Sequence, residues 1–194
     1  MAARRRRTPF REKPDRDLSL YLFIYNANTR DRWTDSGIVG DRAGYDDLDE
    51  IRQGRLRAWG APNWTTDRLQ QAIDYGTRAG RALPVASSPH FSLARANEPY
   101  WPDTVVTSAG DLAWFERSGM PLIAWSSLGR GFFAHGDEAH RSDPDLVRVF
   151  YSDGNFERKR RAVELGEARG LSLFEIALAW VAIQKFPVVA LCGA

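Results

Sequence analysis

Apolar residues come along this chain in short bursts separated by polar stretches, and the bursts carry two periods. Residues 18–25 (LSLYLFIY) form a near-continuous apolar run of strand length, the pattern of a strand covered on both faces. Residues 56–60, 83–87, 121–126 and 188–191 read as four more strands. Between them the period lengthens to that of a helix. A short helix is expected over 45–53, stopped by Gly54. Thr65 or Thr66 caps a helix reaching residue 79, with Leu69, Ala72, Ile73 and Gly76 on one face and Gly80 as its stop. Ser108 caps a helix over 109–118 that closes at Gly119, and Asp143-Pro144 opens a short one. An Arg/Glu-rich helix spans 155–168 and stops at Gly170. Ser172 and Glu175 form a capping box for a last helix to about residue 185, expected to turn Ile176, Ala179, Trp180 and Ile183 inward. Residues 88–107 read as a long loop holding Phe91, Tyr100 and Trp101, and 127–141 as a Gly-containing loop. Loops as long as the first are usually functional or otherwise constrained.

Five strands alternating with helices through short connections predict parallel pairing and an α/β fold. Two architectures fit: a doubly wound open sheet, or part of a (β/α)8 barrel. The dinucleotide fingerprint G-x-G-x-x-G is absent, because Gly129-Arg130-Gly131 is followed by Phe132, Phe133 and Ala134.

Composition narrows the function classes. The longest apolar run, 176–183, is eight residues, against the ~20 a membrane span needs, so no membrane partner is expected. One cysteine and three histidines exclude a disulfide framework and leave little for a metal site, so no metal is expected. Cys192, at an apolar strand end, is expected to be buried and inert, His90 structural, and His135 and His140 exposed. The net charge is +2, yet residues 1–17 carry seven basic residues against three acidic, which leaves the remainder at −2. The apparent basicity thus belongs to a tail, expected to be disordered over 1–17, and residues 18–194 form the folded body. Nucleic acid is accordingly not expected as a partner. No apolar stretch follows the Arg-rich start, so secretion is not supported and a cytoplasmic location is expected. The run Arg158-Lys159-Arg160-Arg161, interleaved with Glu157 and Glu164, reads as a solvated helix face.

Larger segments decide between the two architectures. RLRAWGAPNWT (55–65), PVASSPHFSLA (84–94), NEPYWP (97–102), DLAWFERSGMPLIAWSSLGRGFF (111–133), DPDLVRVFYSDGNFERKRRAVELGEARG (143–170) and SLFEIALAWVAIQKFPVVALCG (172–193) together resemble the aldo/keto reductase family. Order and spacing agree over about 140 residues, clearly from about residue 48 and weakly from residue 18. The resemblance implies the later half of that family's barrel: a partial TIM (β/α)8 barrel of about five parallel strands with covering helices. It implies NADPH laid across the C-terminal ends of the strands and a small-molecule carbonyl as substrate. Asn63 matches the asparagine that bonds the nicotinamide carboxamide, and Ser88 stands where a glutamine often completes that contact. Where much of the family has a serine before that asparagine, this chain has Pro62. Trp125 matches the aromatic residue that stacks under the nicotinamide ring, and Ser126, Leu128 and Arg130 match the loop along the pyrophosphate. The family's catalytic Asp, Tyr, Lys and His find no match here: Lys13 is the only lysine before Lys159, and Ile24, Tyr25 or Asn26 stands where the histidine is expected. The chain is therefore expected to be a fragment with no catalytic residue and little carbonyl reduction of its own. The alternative is a non-catalytic half-barrel that binds a partner or pairs with a second copy through exposed strand edges.

Overall fold

The computed structural model describes residues 58–102, 104–137 and 141–192. The expected tail over 1–17, strand over 18–25, helix over 45–53 and His140 lie outside the described residues. Four short strands, β1 (Ala61–Pro62), β2 (Ser87–Ser88), β3 (Leu122–Ala124) and β4 (Val188–Ala190), make one parallel sheet in sequential order. Ala61 pairs with Ser87, Ser87 with Leu122, and Leu122 with Val188. This is the α/β pattern of parallel strands joined through helices.

Two strands sit later than the sequence pattern suggests. The strand expected over 56–60 is β1 at Ala61–Pro62, and the one expected over 83–87 is β2 at Ser87–Ser88. Ladder bonds do reach back, with the Val85 N–H donating to the Trp59 carbonyl at 2.9 Å and Ala61 N–H to Ala86 O at 3.0 Å. Continuous pairing waits until a third strand is alongside: the Ser87 N–H donates to Pro121 O at 2.9 Å, across to the start of β3. Prolines at 84, 121 and 187 lack the donor that would extend the ladder backwards.

The helices follow their caps. In α1 (Thr66–Ala79) the Thr65 side chain accepts from Arg68 N–H, and Gly80 closes it at φ 63°. Its buried face is Leu69, Ala72 and Gly76. Ser108 and Asp111 form a full capping box at α2 (Ala109–Ser118). The expected loop over 127–141 instead contains a 3-10 turn (Gly129–Gly131) and α3 (Phe132–His135). Phe132 and Phe133 are buried, and this tertiary anchor folds a segment whose own sequence gives no cap or period. Then come α4 (Pro144–Phe150), α5 (Asp153–Glu167, capped by Ser152) and α6 (Leu173–Ala182, with the Ser172/Glu175 capping box).

Helix α6 buries Ile176, Ala177 and Val181, with Trp180 partly covered against Phe91. Ala179 is exposed, and Ile183, past the end of the helix, is 74% exposed. The inward stripe is thus rotated by one residue from the expected 176/179/180/183 set. Cys192 is exposed rather than buried, because the strand it was to close ends at Ala190. The basic run on α5 is only half a solvated face. Arg160 and Arg161 pair with Glu157 and Glu164 in water, whereas the Lys159 ammonium turns inward and donates to the Gly136 carbonyl at 2.6 Å.

Helices cover one face of the sheet. Ala61, Leu122 and Ala124 pack there with Leu69, Phe115, Val181 and Phe186. A second cluster, Phe132, Phe133, Leu146, Val149, Phe150 and Ala177, lies beyond the C-terminal ends of the strands and supports the loops above them. Side chains alternate along a strand, so Val189, between two residues that pack on the helices, points to the other face; it is 54% exposed.

Candidate functional site

The C-terminal ends of β1, β2 and β3 bring several candidate residues to one edge of the sheet. Asn63 follows β1, Ser88 closes β2, and Trp125 and Ser126 follow β3. The Asn63 N–H donates to Ser88 O at 3.1 Å, and Ser88 Oγ donates to Ile123 O at 2.8 Å. Trp125 and His90 pair as a parallel bridge, with the Trp125 N–H donating to Pro89 O at 3.3 Å.

Backbone conformation marks the same positions. Among the described residues, the non-glycine residues with positive φ are Asn63 (53°), Ser126 (53°) and Arg130 (50°). A left-handed conformation costs an L-residue about 1–2 kcal/mol. Asparagine tolerates it best; serine and arginine have no such excuse, and such outliers gather where a site needs them. Gly129 (61°) and Gly131 (92°) extend the unusual backbone through the loop after β3. A side chain on Gly129 would also press on Phe132 and Ala94, so this turn is closed by space as well as by conformation.

Trp125 is the centre of the aromatic part. Its ring lies 5.0 Å from the His90 ring and 5.9 Å from that of Trp101. His90 is 3% exposed, wedged between Trp125 and Phe150, and burial pushes its imidazole down to about 4, so it is neutral at pH 7. Two buried polar atoms lack a partner there: Trp125 Nε1, a donor, and His90 Nε2. Neutral imidazole leaves one ring nitrogen to accept, so the pair offers both kinds of hydrogen-bonding group in one place.

Several candidate groups are already engaged. Asn63 Oδ1 accepts from Val105 N–H at 3.3 Å. The Arg130 guanidinium lies 4.3 Å over the Tyr100 ring and 4.6 Å over Trp101. Leu128 is half-buried against the second cluster. Tyr100 and Trp101 stand here because Arg148 pins their loop, donating from Nη2 to Tyr100 O at 3.0 Å and from Nη1 to Pro99 O at 3.3 Å and to the Glu98 carboxylate. Asn97 adds a bond from Nδ2 to Tyr151 O at 3.0 Å. Sequence reasoning singled out the aromatic loop but missed Arg148, whose partners lie some fifty residues upstream with no local signal. His135 is exposed, and no cluster of metal-ligating side chains occurs among the described residues.

The aldo/keto reductase family model matches residues 14–194. The chain belongs to the aldo/keto reductase family. Among solved structures it is similar to a thermostable aldo-keto reductase crystallised with the inhibitor epalrestat, at TM-score 0.51 and 20% identity. That match covers 76% of this chain and 42% of the other, so the chain spans less than half the length of that relative. No curated protein matches. The likeness establishes the fold: among the described residues, four sequential parallel strands with covering helices form part of an aldo-keto reductase barrel and do not close it.

Proposed function

We propose that this chain is the nicotinamide-binding platform of an NADPH-dependent carbonyl reductase. The observation that carries the reading is a coincidence of two independent criteria. Among the described residues the three left-handed non-glycine residues, Asn63, Ser126 and Arg130, are all positions matched to cofactor contacts by sequence resemblance.

The residues fit the cofactor unevenly. Trp125 offers a flat ring at a strand end, held by the His90 and Trp101 rings, and such a surface sets which face of a stacked ring is presented. Asn63 keeps its amide N–H groups to donate to a carboxamide, since the Val105 N–H occupies its oxygen. Ser88 Oγ spends its proton on Ile123 and keeps only acceptor capacity. Ser126, Leu128 and Arg130 line a loop whose backbone suits a pyrophosphate. To serve it, Arg130 must exchange its cation–π contacts with Tyr100 and Trp101 for an ion pair. When bound, NADPH supplies a hydride to the carbonyl carbon. The protein's share is then to orient the ring and bind the phosphates. A positioned acid is worth typically ~10²–10⁴-fold, and no residue of this chain matches the family's tyrosine group, so we expect slow reduction of small carbonyls. Among the described residues no helix is long and apolar enough to cross a membrane.

Energy transfer from tryptophan to bound NADPH tests the reading. Binding should be saturable, should weaken about fivefold in Asn63→Ala through loss of a neutral amide hydrogen bond to the carboxamide, and should vanish in Trp125→Ala. Absence of binding at millimolar NADPH overturns it. A second reading, self-assembly, rests on the exposed Val189 and Leu191 of the β4 edge.

A further inference from the structure

Away from the strand ends, a groove of about 410 Å³ runs along the seam between α5 and α6. Its floor is apolar, with Leu93, Ala162, Leu165, Ile176, Trp180 and Ile183 along it, and Arg95, Arg158 and Arg161 stand at its side. Much of that apolar surface is open: Leu165 is 42% exposed and Ile183 more so. Asn155 ties the backbone at Arg95 to the Arg158 side chain. Asn155, fully buried, accepts at Oδ1 from the Arg95 N–H at 2.9 Å and from Arg158 Nη1 at 3.1 Å, while its Nδ2 donates to Arg95 O at 2.7 Å. Glu157 answers Arg161 at 2.6 Å. Among the described residues no carboxylate answers Arg95 or Arg158. Burial, and then repulsion from Arg95 and Arg161, holds the Arg158 guanidinium below its ordinary value.

Two like charges thus line one apolar trough, each repelling the other and neither answered by a carboxylate among the described residues, which leaves a cationic end that an anion would neutralise. The volume lies within the small-ligand range of ~300–1,000 Å³, and the trough is apolar along its length, aliphatic except at Trp180. We propose that the groove binds a single-chain aliphatic carboxylate, its head between Arg95 and Arg158 and its chain along Trp180 and Ile183. The site is separate from the strand-end cluster and does not depend on cofactor binding.

Calorimetric titration of the full chain with octanoate, decanoate and dodecanoate, each below its micelle concentration, tests this. Affinity should rise about three- to fourfold per added CH₂. Decyltrimethylammonium, with the same tail length and opposite head, should not bind. Arg158→Gln and Arg95→Gln should each weaken decanoate about tenfold, the loss of one charged hydrogen bond. Ile183→Glu, at a solvent-facing position that cannot upset the core, should abolish binding; matched thermal melts confirm that each variant is folded. Affinity that is flat with chain length, equal for both head groups, or unchanged in these variants overturns the proposal. So does binding only to anionic lipid vesicles or to acidic peptides with none to the free carboxylates.

Discussion

At the residue scale, strain and buried polarity gather on a few side chains around the strand ends. Ser126 holds φ 53°, and no other interaction of its side chain offsets the cost. Ser126→Gly should therefore raise stability by up to about 1 kcal/mol, relief of strain outweighing the extra backbone entropy of glycine. Chemical denaturation reads this directly, and a loss of stability would show that the conformation is not strained. His90 makes an opposite case. Its folded value of about 4 lies below the ordinary 6.5, so the unfolded chain takes up a proton that the native state refuses. The stability it permits is complete above pH 6.5 and falls as the pH drops from 6.5 toward 4, by on the order of 3 kcal/mol. His90→Phe should flatten the pH–stability curve in that window while leaving the ring packing with Trp125 and Phe150 in place; an unchanged slope would mean His90 is protonated or solvated in the native state. Neither property is readable from residue letters. An asparagine after a strand hints at a left-handed turn, but a serine and an arginine do not, and burial of His90 needs Trp125 and Phe150, 35 and 60 positions away.

At the scale of elements, what was legible was local. Thr65, Ser108, Asp143 and Ser172 cap as their positions suggest, and Gly80, Gly119 and Gly170 take positive φ at the helix ends. A cap is a bargain among four or five neighbouring residues, so the sequence window contains all of it. The turn at Gly129–Gly131 and α3 were missed because only their burial under the second cluster folds them. The rotation of the α6 stripe has the same origin: period says that one face is inward, and packing chooses which. Long-range pins are the hardest to see. Arg148 joins Glu98, Pro99 and Tyr100 to α4, and it is the fixture that presents Tyr100 and Trp101 beneath Arg130. Arg148→Gln should cost less than about 1 kcal/mol of global stability, because the ion pairs are exposed. Its larger effect should be local. Amide exchange at residues 97–102 should accelerate by an order of magnitude or more while α1 and α2 stay protected. Uniform acceleration, or none, would assign the loop's order to something else.

At the scale of the molecule, the sequence announced a parallel α/β architecture and the family, and the sheet's order follows from its sequential, short connections. It could not say how much of the sheet's second face is covered. Val188 and Ala190 pack toward the helices, and Val189 on β4 and Leu191 just after it stand open; the described ladder of β4 is with β3 alone. An edge strand without a charge or proline along its paired length is a template for further pairing, and here it also carries apolar side chains. A second copy meeting β4 edge to edge would pair backbone groups that have no ladder partner among the described residues and set an apolar neighbour beside Val189. Sedimentation velocity across a hundredfold range of concentration should therefore show reversible self-association of the native chain. Val189→Lys should shift it to monomer without lowering the melting temperature, since the position already faces water. A monomer at all concentrations, or a variant that associates as strongly as the parent, would leave the β4 edge without a role in assembly.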